Sequence, residues 1–89
     1  MTTAQVHITN RLGLHARAAA KVVHTANAFA AEIFIGTSDE EVNAKSILGL
    51  LTLAATEGTP LVVRAEGADE REAVKALIEL FQNKFGEGE

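Results

Sequence analysis

Gly13-Leu14-His15-Ala16-Arg17, running straight into the alanine-rich stretch Ala18-Ala19-Ala20-Lys21-Val22-Val23, is the segment around which the rest of the chain is read. A glycine turn, a histidine and then a run that reads as helix put an imidazole at a helix N-terminus. That end of a helix carries unpaired backbone N–H groups and a partial positive charge, so it attracts anions. Arg17 adds a permanent cation two residues on. A histidine so placed can hold a phosphoryl group on a ring nitrogen, with the N–H groups and the guanidinium facing its oxygens. Read alone, a histidine in this place is more often a capping or packing residue than an acceptor, so the rest of the chain has to decide.

Eighty-nine residues make one domain, able to fold alone but only marginally rich in core. Hydrophobic residues make up 47% of the chain, yet the mean hydropathy is only +0.11, the balance of a soluble globular protein. No run approaches the ~18 apolar residues of a membrane helix, and no signal-peptide core opens the chain. Cysteine is absent, which excludes disulfides and thiolate metal sites and suits a cytoplasmic protein. A net charge of −4, with the basic residues scattered, argues against a nucleic-acid binder.

Working outward, Ala4 to Asn10 alternates as a half-buried strand with Val6 and Ile8 inward and His7 out. Residues 10–14 form a loop. The first helix is expected from Ala16 to Asn27, with Ala16, Ala19, Ala20, Val23 and Ala26 as its buried stripe and Asn27 as a left-handed C-cap. Lys21 and His24 fall off that stripe. Phe29 to Ile35 reads as a strand with Ile33 and Ile35 on one face, and Glu41 to Ala44 as a short one through Val42. Ser46 stands where an N-cap belongs. The helix after it carries Ile47, Leu48, Leu50, Leu51 and Leu53 and has almost no polar face. Its outer side is either a docking surface or covered by the core. After the turn at residues 57–60, Leu61 to Glu66 is a strand facing inward through Leu61, Val63 and Ala65. Asp69 with Glu72 fits an Asp-x-x-Glu cap, and Ala73, Val74, Leu77, Leu80, Phe81 and Phe85 mark the last helix. Residues 86–89 read as a flexible tail.

The order strand, helix, strand, strand, helix, strand, helix is met most economically by an α+β open-faced sandwich. Four mostly antiparallel strands would carry three helices on one face. The other face would show Gln5, His7, Thr9, Glu32, Val62 and Arg64 to water.

Two motifs sharpen this reading. Asn10-Arg-Leu-Gly-Leu-His-Ala-Arg resembles the active-site signature, Gly-Leu-His-Ala-Arg-Pro-Ala, of the HPr family. Those are phosphocarriers of the bacterial phosphoenolpyruvate-dependent phosphotransferase system. Val42-Asn-Ala-Lys-Ser-Ile-Leu-Gly-Leu-Leu resembles the segment around that family's regulatory serine. The separation of the motifs, the element order and the length agree, and the likeness covers essentially the whole chain. The resemblance implies a β-α-β-β-α-β-α fold. It implies that His15 accepts a phosphoryl group at Nδ1 from Enzyme I and passes it to an Enzyme IIA, with Arg17 stabilising the group in transit. Ser46 would be phosphorylated by the ATP-dependent HPr kinase. Ile47, Leu48 and Leu51 would form the apolar surface that partners grip. The protein would be a monomer and a substrate of enzymes rather than an enzyme, without cofactor or metal and with no nucleic-acid or membrane partner.

One position departs from the family pattern. Ala18 stands where proline is usual. Alanine supports a first helical turn as well as proline does and adds an N–H donor. Ile8-Thr-Asn-Arg-Leu-Gly and Leu80-Phe-Gln-Asn-Lys-Phe look like the nitrogen-related branch, NPr, whereas Lys45-Ser46 looks like HPr of kinase-bearing organisms. A protein-interaction domain of the same fold remains the alternative from a different class. It would carry no labile phosphate on His15.

Overall fold

The computed structural model describes residues 1–53 and 55–86. Its elements are β1 (Thr2–His7), α1 (Ala16–Ala26), β2 (Glu32–Gly36), β3 (Glu41–Asn43), α2 (Ile47–Leu53), β4 (Pro60–Glu66) and α3 (Glu70–Gln82). The four strands form one sheet in the order β1-β4-β2-β3, and every pairing is antiparallel. The open-faced α+β sandwich expected from the sequence is the architecture found.

β4 takes a central place because its alternation is the cleanest in the chain. Leu61, Val63 and Ala65 are buried, and they pair with Val6 and Ala4 on one side and with Ile35 and Ile33 on the other. β3, three residues long, forms one edge. α3 covers the inner face through Ala73, Val74, Leu77 and Phe81, and α1 packs against both other helices. On the outer face Arg64 stands opposite Phe34, its guanidinium carbon 4.4 Å from the ring centroid. The same guanidinium donates from Nε (3.0 Å) and Nη2 (2.7 Å) to the two carboxylate oxygens of Glu41, bracing β4 to β3 across β2. This fork holds the Glu41 carboxyl below its ordinary range.

Several local expectations are overturned. α1 buries Ala18, Ala19, Val22 and Ala26. Ala16 and Ala20 are exposed and Val23 is only half-buried, so the inward face is turned from the expected stripe. Asn27 closes α1 in right-handed geometry (φ −69°), its N–H bonding to Val23 O, rather than as a left-handed cap. Asp69 does not cap its own helix. Its carboxylate accepts from the N–H groups of Ala30 and Ala31, both at 2.8 Å, which depresses its pKa. That claim on their donors also explains why β2 begins at Glu32 and not at Phe29. β1 ends at His7, and Ile8 continues inward through bonds to Thr59 O and from Gly58 N–H. The stripe of α3 runs as expected except at Leu80, half-buried, and at Phe85, which lies beyond the helix. Phe85 sits in a closing turn where Lys84 (φ 52°) and Phe85 (φ 56°) are both left-handed. Its ring meets Phe81 edge-on at 5.0 Å, and Lys21 Nζ donates to its carbonyl. Gly86 belongs to that turn, while the rest of the expected tail lies outside the described residues.

The cap of α3 yields a pH prediction. Glu70 accepts from the Thr2 hydroxyl, from the N-terminal ammonium at 3.0 Å and from the Gly67 N–H at 3.2 Å. In that order these partners lower its pKa from 4.5 to about 2. A depressed carboxylate adds stability above its unfolded pKa, and that contribution is lost as pH falls through the folded value. Urea midpoints measured from pH 7 to pH 2 should therefore fall between about pH 4.5 and 2. In Glu70→Gln the midpoint should start lower at pH 7 and decline less over that window. Parallel curves for the two proteins would remove Glu70 from the acid transition.

Candidate functional site

The loop that presents His15 is held at both ends. Gly13 N–H bonds to Asn10 O at 3.2 Å, and the side-chain Nδ2 of the fully buried Asn10 donates to Gly13 O at 2.9 Å. Leu14 is buried, and its N–H bonds to Ala55 O at 2.9 Å, just past the end of α2. Gly13 is left-handed (φ +70°), and a Cβ there would lie 2.6 Å from Ala55 O. Only glycine fits both the angle and the space.

That turn delivers His15 as the N-cap of α1, with extended backbone (φ −84°, ψ −179°). His15 O accepts the first helical bond from Ala19 N–H at 2.8 Å, and its Nδ1 accepts from Arg17 N–H at 3.2 Å. The imidazole therefore plays the part that serine or aspartate plays at other helix starts. An accepting Nδ1 carries the lone pair, so the proton of the neutral ring is on Nε2. The nucleophilic nitrogen thus lies among the N–H groups at the positive end of α1. No acidic side chain occupies the first turn of the helix.

Arg17 is exposed beside it and lines a surface cleft of about 340 Å³ with Ala20, Lys21, His24, Thr25 and Leu80. Arg17 and Lys21 succeed one another along α1 as a short cationic strip, with His24 beyond them, on a chain of net charge −4. Ser46 stands at the start of α2, its Oγ accepting from Gly49 N–H at 3.1 Å and its carbonyl from Leu50 N–H at 3.1 Å, as an N-cap should. Beyond it Leu50 and Leu53 are buried, while Ile47 (40%), Leu48 (73%) and Leu51 (38%) remain exposed. The choice left open by the all-apolar helix is settled: its outer side faces water. The structure thus joins His15 to Arg17 through the Arg17 backbone N–H, while the Arg17 side chain lines the cleft. It places Ser46 and the apolar trio on α2, which packs against α1. Among the described residues no cluster of three or more His, Cys, Asp or Glu side chains is arranged to hold a metal ion, and no helix is long and apolar enough to cross a membrane. Buried Asn10 was not singled out by sequence, because an asparagine opening a loop is too common to carry a signal.

An open-faced sandwich that offers a histidine nitrogen at a helix mouth, with an arginine beside it, has the makings of a histidine phosphocarrier. The family model described as "PTS HPr component phosphorylation site" matches residues 2–83. The phosphocarrier protein HPr of Xylella fastidiosa (strain Temecula1) is 51% identical over 83 residues, 93% of each chain. That of Neisseria meningitidis (strain MC58) is 47% identical over the whole of both. The crystal structure of HPr-C-His from Thermoanaerobacter tengcongensis superposes with a TM-score of 0.94 at 45% identity, covering 98% of each chain. The chain belongs to the HPr family, the phosphocarrier proteins of the bacterial phosphotransferase system.

Proposed function

We propose that this phosphocarrier takes a phosphoryl group on His15 Nδ1 from the phosphohistidine of Enzyme I and delivers it to an Enzyme IIA of the sugar phosphotransferase system. The observation that carries the proposal is the hydrogen bond from Arg17 N–H to Nδ1, which fixes the lone pair at the mouth of α1. On loading, that lone pair attacks phosphorus in line; on delivery, the nucleophile of Enzyme IIA attacks from the opposite side and His15 is the leaving group. The new N–P bond forms as the donor's N–P bond breaks, and the donor imidazole leaves with the electron pair. The Arg17 N–H, released from Nδ1, and the Arg17 guanidinium face the phosphoryl oxygens and stabilise their charge. Histidine suits this traffic because its neutral form is nucleophilic near neutral pH and a phosphoramidate parts readily with its phosphoryl group.

Ile47, Leu48 and Leu51 serve as the apolar grip for partners, and their exposure supports that role. The cationic strip along α1 favours partners with acidic surfaces. A phosphate placed on Ser46 by HPr kinase would add about two negative charges beside this surface and repel such partners without refolding the chain. In this cycle, run in the cytoplasm, the protein is a substrate of Enzyme I, Enzyme IIA and the kinase and has no turnover of its own. The names of the relatives favour HPr over the nitrogen-related branch.

Incubation with Enzyme I, Mg²⁺ and phosphoenolpyruvate, read by intact mass before and after mild acid, tests the proposal. One acid-labile phosphoryl group is expected, absent from a folded His15→Ala variant. With HPr kinase and ATP, one acid-stable group is expected, absent from Ser46→Ala. Failure of the first mass shift with Enzyme I from the same organism would leave the interaction-domain reading in its place.

A further inference from the structure

Among the described residues, Asn10 is the one polar side chain that is fully buried. An amide so placed is costly unless its groups are bonded, a cost that an apolar side chain would not carry. Its partners lie in the turn that presents His15. Asn10 O accepts from Gly13 N–H at 3.2 Å and Asn10 Nδ2 donates to Gly13 O at 2.9 Å, so one residue clasps both polar groups of the glycine. Gly13 O also accepts from the N–H of His15 itself, at 3.0 Å. The same peptide unit is tied at its other end, where Leu14 N–H donates to Ala55 O at 2.9 Å. The plane joining Gly13 to Leu14 is therefore held at its nitrogen by Ala55 and at its oxygen by Asn10, and that oxygen holds His15. Without the Asn10 amide the plane can swing about the Ala55 contact, carrying Gly13 O away from the His15 N–H.

Resting on the carrier reading above, we infer that Asn10 is a positioning residue for phosphoryl transfer. Being fully buried, it meets neither the phosphoryl group nor a partner surface. It acts through Gly13 O on the His15 N–H, and so keeps the backbone at the start of α1 where Nδ1 can accept from the Arg17 N–H. In-line attack needs that lone pair aimed at phosphorus, and a small misplacement of a reacting atom slows the chemical step steeply. The exposed apolar trio lies on another element, α2, so docking does not depend on the Asn10 amide. The loss therefore falls on kcat rather than on KM.

Initial rates of phosphorylation by Enzyme I and phosphoenolpyruvate, measured against carrier concentration well below each melting temperature, test this with Asn10→Ala, Asn10→Ser and Val63→Ala. Val63 is buried in the middle of β4 and takes no part in the site, so its variant controls for lost stability alone. Asn10→Ala is expected to lower kcat about tenfold with KM within about twofold, and to melt about 10 °C below wild type. Asn10→Ser keeps a donor on a shorter arm; it is expected to fall between, and it carries the comparison if the alanine variant does not fold. Val63→Ala is expected to lose similar stability at wild-type kcat. Nitrogen-15 spectra of the imidazole give a reading that needs no Enzyme I. The neutral wild-type ring should hold its proton on Nε2, and in the Asn10 variants both tautomers should be populated. A wild-type kcat in the Asn10 variants, a fall matched by Val63→Ala, or a single unchanged tautomer would each overturn this inference alone. A raised KM at unchanged kcat would also overturn it, because Asn10 would then act on docking. A wild-type chain that Enzyme I does not label at all would overturn the carrier reading and this inference with it.

Discussion

Gly13→Ala is expected to melt roughly 15 °C below wild type and to lose most of its phosphorylation by Enzyme I. Two penalties coincide at this position. The backbone is left-handed at φ +70°, which an L-residue with a Cβ adopts at a cost of about 1 kcal/mol. The added methyl would also stand 2.6 Å from Ala55 O and 3.1 Å from Thr56 Cα, both backbone atoms that can move only with their chain. Relieving that clash costs about 1–3 kcal/mol more. It also pushes apart the contact made by Leu14 N–H on Ala55 O, which ties down the residue before His15. Thermal melting and the initial labelling rate check the two halves separately. A variant within a few degrees of wild type and labelled at the same rate would show that the turn yields without disturbing its histidine.

Arg17→Ala is expected to slow phosphoryl transfer roughly hundredfold, in kcat rather than in KM, while leaving the melting temperature nearly unchanged. The side chain is exposed and makes no core contact, so its loss has little to do with folding. The α1 backbone that caps onto Nδ1 remains when the guanidinium is removed. What goes is an exposed charge that, on the proposed role, would face the equatorial oxygens, with most benefit when the phosphoryl group is between two nitrogens. Arg17→Lys is expected to recover part of the rate, since it restores a cation but not the planar fork. A raised KM at unchanged kcat would instead assign Arg17 to docking.

Much of this was legible from the chain, for identifiable reasons. β4 and β2 could be read because Leu61, Val63 and Ala65, and Ile33 and Ile35, recur at period two within β-branched and aromatic runs. The face of α1 could not: with alanine at 16, 18, 19, 20 and 26 there is almost no contrast, and packing alone chose Ala18 and Val22 over Ala16 and Ala20. Asp69 and Glu72 matched a local capping pattern. The Asp69 carboxylate instead met two backbone donors nearly 40 residues away, at Ala30 and Ala31, that no local rule contains. The left-handed turn at Lys84 and Phe85 lacks the glycine that would announce it at those positions and is held by Phe81 and Lys21. Around the candidate site, the glycine turn and the histidine at the start of α1 could be read from their spacing. The part played by Asn10 could not, since it lies in the bond to Gly13 O.

The N-cap bond on His15 bears on how much free energy a carrier of this design can deliver. By linkage, phosphohistidine in the folded chain differs in hydrolysis free energy from phosphohistidine in an unfolded one by the amount that phosphorylation alters the stability of the fold. A helix left uncapped until loading would tighten around its cargo and give back less on release. Here the Arg17 N–H already has an acceptor in Nδ1. On the proposed carrier role, loading would replace that acceptor with a phosphoryl oxygen, so one cap would be exchanged for another and the group would keep most of the transfer potential of a free phosphoramidate. A relay built of such steps runs close to equilibrium in both directions, its direction set by supply and demand at its ends.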